Sequence, residues 1–301
     1  MEVQEYPVEA EYKKGTGVTP DDVAKIRKWL QTQPHLPEKY ITDLDIIHAY
    51  YSCNNSIEVA KQLMDLNYSL RTLFTSYFKD RVLDSIMEGI LQRQLFVFLP
   101  GKSRDGNTIL YTHGLNTDPS LFDVAENMKA FFLIIDFWQY ECGTAPGLEL
   151  VVNFENYTMS HAPKIDLKNL QQFLYYVQKA IPIKLKMIHL LNSPPFIERL
   201  MNIMKPFIAN ELMDIVVPHS EGFKTLKEYI PIEAFPKEVG GNNKPLDKLL
   251  DDVLNKLRAN KAFFENENKK RVVESLRPGK PKTYTDIFGG VEGSFKKLDI
   301  D

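Results

Sequence analysis

GLELVVNFENYTMSH, residues 147–161, is the stretch from which the rest of the chain can be ordered. Gly147 interrupts what precedes it. Leu148 to Phe154 is then a short apolar run of the composition that favours a strand, and the polar residues after it read as a turn. Outward toward the C-terminus, Asp166 is placed to cap a helix whose apolar face is Leu167, Leu170, Phe173, Leu174 and Val177. Lys184 to Leu191 reads as the next strand, Pro195 to Leu212 as a helix, and Ile215 to Val217 as a further strand. Outward toward the N-terminus, Pro119 to Glu141 reads as one long helix with a very apolar second half. Thr108 to Thr112 and Leu95 to Leu99 read as strands, the latter ended by Pro100-Gly101. Strands alternating with helices in this way predict crossover units on a largely parallel sheet, an α/β fold.

The first ninety residues have a different grammar. Thr19-Pro20-Asp21-Asp22 is a helix start, with Val23, Ile26, Trp29 and Leu30 on one face and Pro34 and Pro37 beyond the end. Thr42 with Asp45 opens a second helix, and Ser56 a third that carries Val59, Leu63, Leu66 and Leu70. At the other end, Leu246 to about Glu267 reads as one charged helix striped by Leu249, Leu250, Val253 and Leu257. Arg271 to Asp301 reads as a basic tail of little regular structure. The expected division is therefore a helical bundle over 1–90, an α/β domain over 91–245, and a C-terminal helix and tail over 246–301.

Of the 301 residues, 44% are hydrophobic and 26% charged, the balance of a globular protein with a substantial core. A net charge of −3 gives no broad basic face for nucleic acid. Cys53 and Cys142 stand in no metal or redox spacing, which suggests a reducing, cytoplasmic setting with both thiols buried. The acidic, polar stretch from Met1 to Lys14 does not read as a signal peptide, and the most apolar run, Phe131 to Trp138, is short and carries Asp136.

Candidate catalytic features are few. Gly101-Lys102-Ser103 lacks the earlier glycine of a phosphate-binding loop, since Phe96 stands there, and Asp105-Gly106-Asn107 is turn chemistry where that loop needs a helix. His35, His48, His113, His161, His189 and His219 show no metal spacing, and no serine lies in a nucleophile elbow. They read as local hydrogen-bonding residues. No catalytic residue, metal ligand or cofactor is assigned. Pro194 to Phe207 is more informative, because Phe196, Ile197, Leu200, Met201, Ile203, Met204 and Phe207 cover a wide apolar arc. That arc suits an ordinary core helix and equally a helix that closes a greasy cavity and meets a membrane.

The stretch from Gly147 to Gly241 resembles the lipid-binding domain of the CRAL-TRIO (Sec14-like) family, in its alpha-tocopherol transfer and cellular retinaldehyde-binding branch. The residues that carry the likeness are GLELVVNFENYTMSH at 147–161, PIKLKMIHLLNSP at 182–194, MKPF at 204–207 and Gly240-Gly241 after Pro236. IRKWL, PHLP and ITD, between Ile26 and Asp43, are similar to the family's helical N-terminal domain, and FGGVEGSFKKL at 288–298 resembles arthropod members.

The resemblance implies an N-terminal helical bundle and a largely parallel sheet flooring a hydrophobic cavity, closed by a mobile gate helix at about Pro194 to Leu212. It implies a non-enzymatic, monomeric carrier that contacts membranes peripherally and moves a tocopherol, retinoid or other isoprenoid, or a phospholipid. The rival reading is a lipid-sensing adaptor that binds without net transport. The implied ligand contacts are Ile134, Leu148, Val152, Ile165, Phe173, Val177, Ile183 and Ile188, and the implied gate contacts Phe196, Leu200, Ile203, Met204 and Phe207; each also suits plain core. Lys184 and Lys186 match one basic pair of the branch's phosphoinositide headgroup site, or are simply alternate residues on a solvent-facing strand side. The branch's second basic pair falls on Glu211 and Ile215 here, leaving Lys205 or Lys269, Lys270 and Arg271 as substitutes.

Overall fold

The structure, a computed structural model, describes residues 2–288. The FGGVEGSFKKL motif beyond Phe288 lies outside the described residues. The chain opens with α1 (Val8–Tyr12), α2 (Pro20–Leu30), α3 (Asp43–Ser52), α4 (Ile57–Leu73), α5 (Thr75–Phe78) and α6 (Ser85–Arg93). Thr19 and Thr42 each form a reciprocal capping box, with Asp22 and Asp45, so two free N–H groups are satisfied at each start.

Five strands follow in sheet order β1-β2-β3-β4-β5: β1 (Gln94–Lys102), β2 (Thr108–Gly114), β3 (Leu148–Asn153), β4 (Leu185–Leu191) and β5 (Val216–His219). β1 and β2 are an antiparallel hairpin, and all later pairings are parallel. α7 (Val124–Cys142) crosses from β2 to β3, α8 (Leu167–Lys179) from β3 to β4, and α9 (Pro195–Met204) with α10 (Asn210–Met213) from β4 to β5. Then come α11 (Phe223–Leu226), α12 (Leu246–Arg258), α13 (Lys261–Lys269) and α14 (Tyr284–Phe288). This is the expected mixed α/β architecture with a largely parallel sheet.

Side chains alternate across the sheet. Leu95, Val97, Leu99, Ile109, Tyr111 and Val151 pack under Leu226, Ile230, Phe235 and Leu249 from the segment after β5. Phe96, Leu110, Leu148 and Leu150 face α7 and α8 and join a core that also takes Leu70, Phe74, Tyr77 and Phe78 from the first helices.

Several elements differ from expectation for local reasons. β1 runs through Pro100-Gly101 after a register shift. It is an edge strand, where a proline's missing N–H interrupts no ladder. The long helix before β3 begins at Val124, not Pro119: Pro119–Leu121 is a separate 3-10 turn, and Asp123 caps α7 by accepting from the Glu126 N–H (2.9 Å). Pro195–Leu212 is not one helix. Pro206 has no N–H for a fourth-residue bond, so α9 stops at Met204 and a 3-10 turn, Lys205–Phe207, leads to α10. The C-terminal helix breaks at Asn260, whose buried amide accepts from the Val3 N–H (2.7 Å) and donates to the Lys256 carbonyl (2.7 Å). The segment after Arg271 is docked as far as Phe288. Val272 is buried, Arg277 and Lys282 pair with Asp65, and Phe288 stacks between Phe74, Tyr175 and Tyr284. Cys53 is half-buried and Cys142 exposed, since each stands at a helix end.

Asp136, inside the most apolar run, is buried and takes two bonds from Arg71 (2.9 and 2.7 Å) and one from Arg81 (2.7 Å). Burial works to raise its pKa, but the two guanidiniums outweigh it and hold the carboxylate at about 2. Breaking such a buried pair costs about 3–5 kcal/mol.

Candidate lipid cavity and its lid

The alternation of the sheet and the turn of the helices enclose a cavity of about 260 Å³. Its floor is Phe96 of β1, Thr112 of β2, Leu150 and Val152 of β3, Ile188 and Leu190 of β4, and Val216 of β5. Thr112, Val152 and Leu190 lie in the carboxyl-terminal halves of β2, β3 and β4, where open α/β sheets leave a crevice, and Leu150, Ile188 and Val216 continue the floor one pleat back. One wall is a single face of α7, Val124, Asn127, Met128 and Phe131, at helical spacing. Another is Leu170, Phe173 and Leu174 of α8, with Ile165 just before it. The roof is Phe196, Ile197, Leu200 and Met201 of α9, continued by Ile208 and Leu212. Among the described residues, no lysine, arginine, histidine, aspartate or glutamate lines it.

Of the implied ligand contacts, Val152, Ile165, Phe173 and Ile188 line this space, as do Phe196 and Leu200 of the lid. Leu148, Val177, Ile183 and Ile134 do not. Leu148 starts β3 and Val177 lies a turn beyond Phe173, at the end of the sheet that Phe132, Tyr176, Ala180 and Ile181 fill solidly. Ile183 precedes β4, beside Pro182 and Lys184. Ile134 continues the α7 face by one turn but opens onto a different groove, with Phe98, Trp138 and Leu257. Ile203, Met204 and Phe207 do not line the cavity either. They pack the lid's far end against Leu167, Leu170 and Leu174. The α7 face and the aromatic pair Phe122 and Tyr157 were missed from sequence. The regular spacing of Val124, Asn127, Met128 and Phe131 was the available signal, weakened by a polar member.

The lid is two-faced. Phe196, Ile197 and Met204 are buried beneath it, while Glu198, Arg199, Asn202 and Lys205 are exposed on its outside. Its two ends are held differently. At the start, Asn192 adopts a left-handed backbone (φ 52°) and donates to Asn153 Oδ1 (2.8 Å). At the finish, Gln178 of α8 donates to the Phe207 carbonyl (3.1 Å) and accepts from the Ala209 N–H (2.6 Å).

Lys184 and Lys186 sit at the start of β4, at the opposite end from the cavity. Lys184 Nζ stands 3.7 Å from the Tyr51 ring centre, and Lys186 is exposed. Burial, then Lys186, lower the Lys184 pKa. Glu211 is exposed on α10, and the Ile215 carbonyl accepts from the Ile188 N–H (2.8 Å). Of the suggested substitutes, Lys270 is committed to Asp45 (2.7 Å) and Glu267, and Arg271 to the Phe78 carbonyl, so neither is free for a headgroup. Lys205 remains exposed.

On the far side of the sheet, His189 Nε2 lies 3.2 Å from Glu149 Oε2, His189 Nδ1 2.9 Å from His219 Nε2, and His219 Nδ1 2.9 Å from Thr225 Oγ1. Glu149, His189 and His219 are all buried, and none reaches the cavity. The line ties β3, β4 and β5 to α11.

A CRAL/TRIO domain model matches residues 92–241, the segment that holds floor, walls and lid. The chain belongs to the CRAL/TRIO family. A Pinta-like UBA domain model matches residues 18–86, ahead of this CRAL/TRIO domain. An alpha-tocopherol transfer protein-like protein of Mus musculus is 23% identical over 54% of this chain and 48% of its own length. Clavesin-1 of Xenopus laevis is 24% identical over 75% of this chain and 69% of its own length. The chain thus spans about half the length of the first of these relatives. The crystal structure of Sfh5 is similar at a TM-score of 0.43 and 14% identity, covering 64% of this chain and 69% of that one. No helix among the described residues is long and apolar enough to cross a membrane.

Proposed function

We propose that this CRAL/TRIO protein binds a hydrophobic lipid in the cavity and carries it between membranes without altering it. Lipid binding in general is what the family and the relatives named for tocopherol transfer support. The observation that carries the reading to a carrier is the cavity itself: apolar, free of charge, and roofed by a separate two-faced helix. An isoprenoid burying roughly 400 Å² gains about 10 kcal/mol at about 25 cal/mol/Å². Such a ligand is held in water and leaves only when its contacts are replaced.

At about 260 Å³ the cavity lies just under the range of roughly 300–1,000 Å³ usual for small-molecule sites. A long ligand therefore enters by displacing the lid. On a bilayer the raised lid would turn Phe196, Ile197 and Leu200 toward the lipid, which stands in for the lost contacts. Lys184, Lys186 and Lys205 would favour an anionic, phosphoinositide-bearing surface by charge alone.

Transfer of a fluorescent tocopherol from donor to acceptor vesicles tests the reading. Phe196→Asp and Leu200→Asp should each cut the protein-dependent rate severalfold. Unchanged rates would remove the lid from the mechanism. Ligand binding with no acceleration by the unaltered chain would instead support an adaptor.

A further inference from the structure

Two polar side chains in the cavity each present an atom without a partner among the described residues. Gln94 and Thr112 are only 7% and 4% exposed, and both line the apolar space. Gln94 and Phe96 alternate on β1, and Thr112 is the cross-strand partner of Phe96, with Val152 next to it on β3. All four therefore look into the same side. The Tyr157 hydroxyl donates to Gln94 Oε1 (2.7 Å), which fixes the amide so that Nε2 is its free end. Neither Gln94 Nε2 nor Thr112 Oγ1 has a hydrogen-bond partner among the described residues. Asn127 of α7, half-buried, brings a third polar side chain without a side-chain partner among them to the same cavity. Asn153, by contrast, is spent on Tyr111, His113 and Asn192.

A buried polar group left unpaired costs free energy that an apolar residue of the same shape would not. Two of them together with the half-buried Asn127, in a lining whose other polar side chains, Tyr157 and Asn153, already have partners, mark the place of a polar atom of the ligand. The absence of any cation there among the described residues sets the ligand's charge, because an ionised carboxylate or phosphate taken into such a space has no counter-ion. From these observations, and resting on the carrier reading above, we infer that the cavity selects an uncharged amphiphile. Its single hydroxyl or carbonyl lodges against Gln94, Thr112 and Asn127, and its hydrocarbon runs under the lid. Gln94 Nε2 donates to the ligand oxygen, and Thr112 Oγ1 accepts from a hydroxyl or donates to a carbonyl.

The test uses the full chain stripped of lipid and three radiolabelled isoprenoids of one length: farnesol, the hydrocarbon farnesene, and farnesoate. Farnesol should bind about five- to tenfold tighter than farnesene, the worth of one net hydrogen bond or slightly more. Farnesoate should bind at least about tenfold more weakly than farnesol near neutral pH, and close the gap as the pH falls and its carboxyl takes a proton. Thr112→Val and Gln94→Met should each shrink the farnesol preference while leaving farnesene affinity in place, which also reports an intact cavity.

Equal binding of alcohol and hydrocarbon by the unaltered protein overturns the polar subsite and leaves the carrier reading standing. So does a preference that survives both substitutions, or farnesoate bound as tightly as farnesol near neutral pH. Failure of all three ligands to bind overturns the carrier reading and the subsite with it.

Discussion

At the scale of single residues, the line Glu149–His189–His219–Thr225 shows how a buried histidine is kept neutral. Thr225 Oγ1 donates to the Gly222 carbonyl (3.2 Å) and so accepts from His219 Nδ1 (2.9 Å), which leaves His219 Nε2 to accept from His189 Nδ1 (2.9 Å) and His219 itself without a charge. Burial, then His189, lower the His219 pKa from its usual 6.5 to about 4. The unfolded chain therefore takes up a proton below about pH 6.5 that the folded chain refuses until about pH 4. Stability should fall as pH drops through that window and recover as it rises. Urea unfolding of the protein and of His219→Gln, compared near pH 7 and near pH 4.5, checks this. The variant should lose less stability on acidification, and an identical loss would exonerate His219. His48 and His113, also held low by burial, contribute to both proteins alike. Asp136 illustrates what sequence shows at this scale and what it hides. It stands out within Phe131–Trp138, but the partners that make it tolerable lie 65 and 55 residues earlier, at Arg71 and Arg81.

At the scale of elements, apolar spacing announced the five strands and the longer helices, not α1, α5, α6, α11 or α14, which are too short to show a stripe, and chain breaks went unseen where one proline or one amide decided them. Pro206 and Asn260 divide what the hydrophobic stripes present as continuous helices. The cavity was legible in part for the same reason. Periodicity tells which side of α8 or β3 is apolar, and so found Phe173 and Val152. It does not tell how far along the element packing stays open, so Val177 and Leu148 looked equivalent to them and lie in solid core. The lid's far end depends on Gln178, whose amide bonds both the Phe207 carbonyl and the Ala209 N–H. Gln178→Leu should free that end at a cost of about 1–3 kcal/mol in local closure. Hydrogen exchange should show faster amides from 203 to 213 with α8 unchanged, and an unaltered pattern there would mean the packing of Met204 and Phe207 holds the lid alone.

At the scale of the molecule, the last described turn closes a circuit. Residues 272–288 return across the first helices, with Arg277 and Lys282 on Asp65 and Phe288 among Phe74, Tyr175 and Tyr284, so the helical bundle and α8 are fastened by one strap. Composition alone made this segment read as a loose tail, because its few apolar residues are spaced for docking on another surface and form no stripe of their own. Phe288→Ala should lower global stability by about 3 kcal/mol in denaturant titration, as for a core phenylalanine. A loss under about 1 kcal/mol would mean the strap is ornamental to the fold. The lid carries a consequence for timing. Shut, it shows a passing bilayer Glu198, Arg199, Asn202 and Lys205 and keeps its grease inside. On the carrier reading proposed above, a membrane would have little on that face to seize until thermal motion lifts it, so the clock of delivery would be wound within the protein, and crowding in more acceptor vesicles should hasten arrival without hastening the handover.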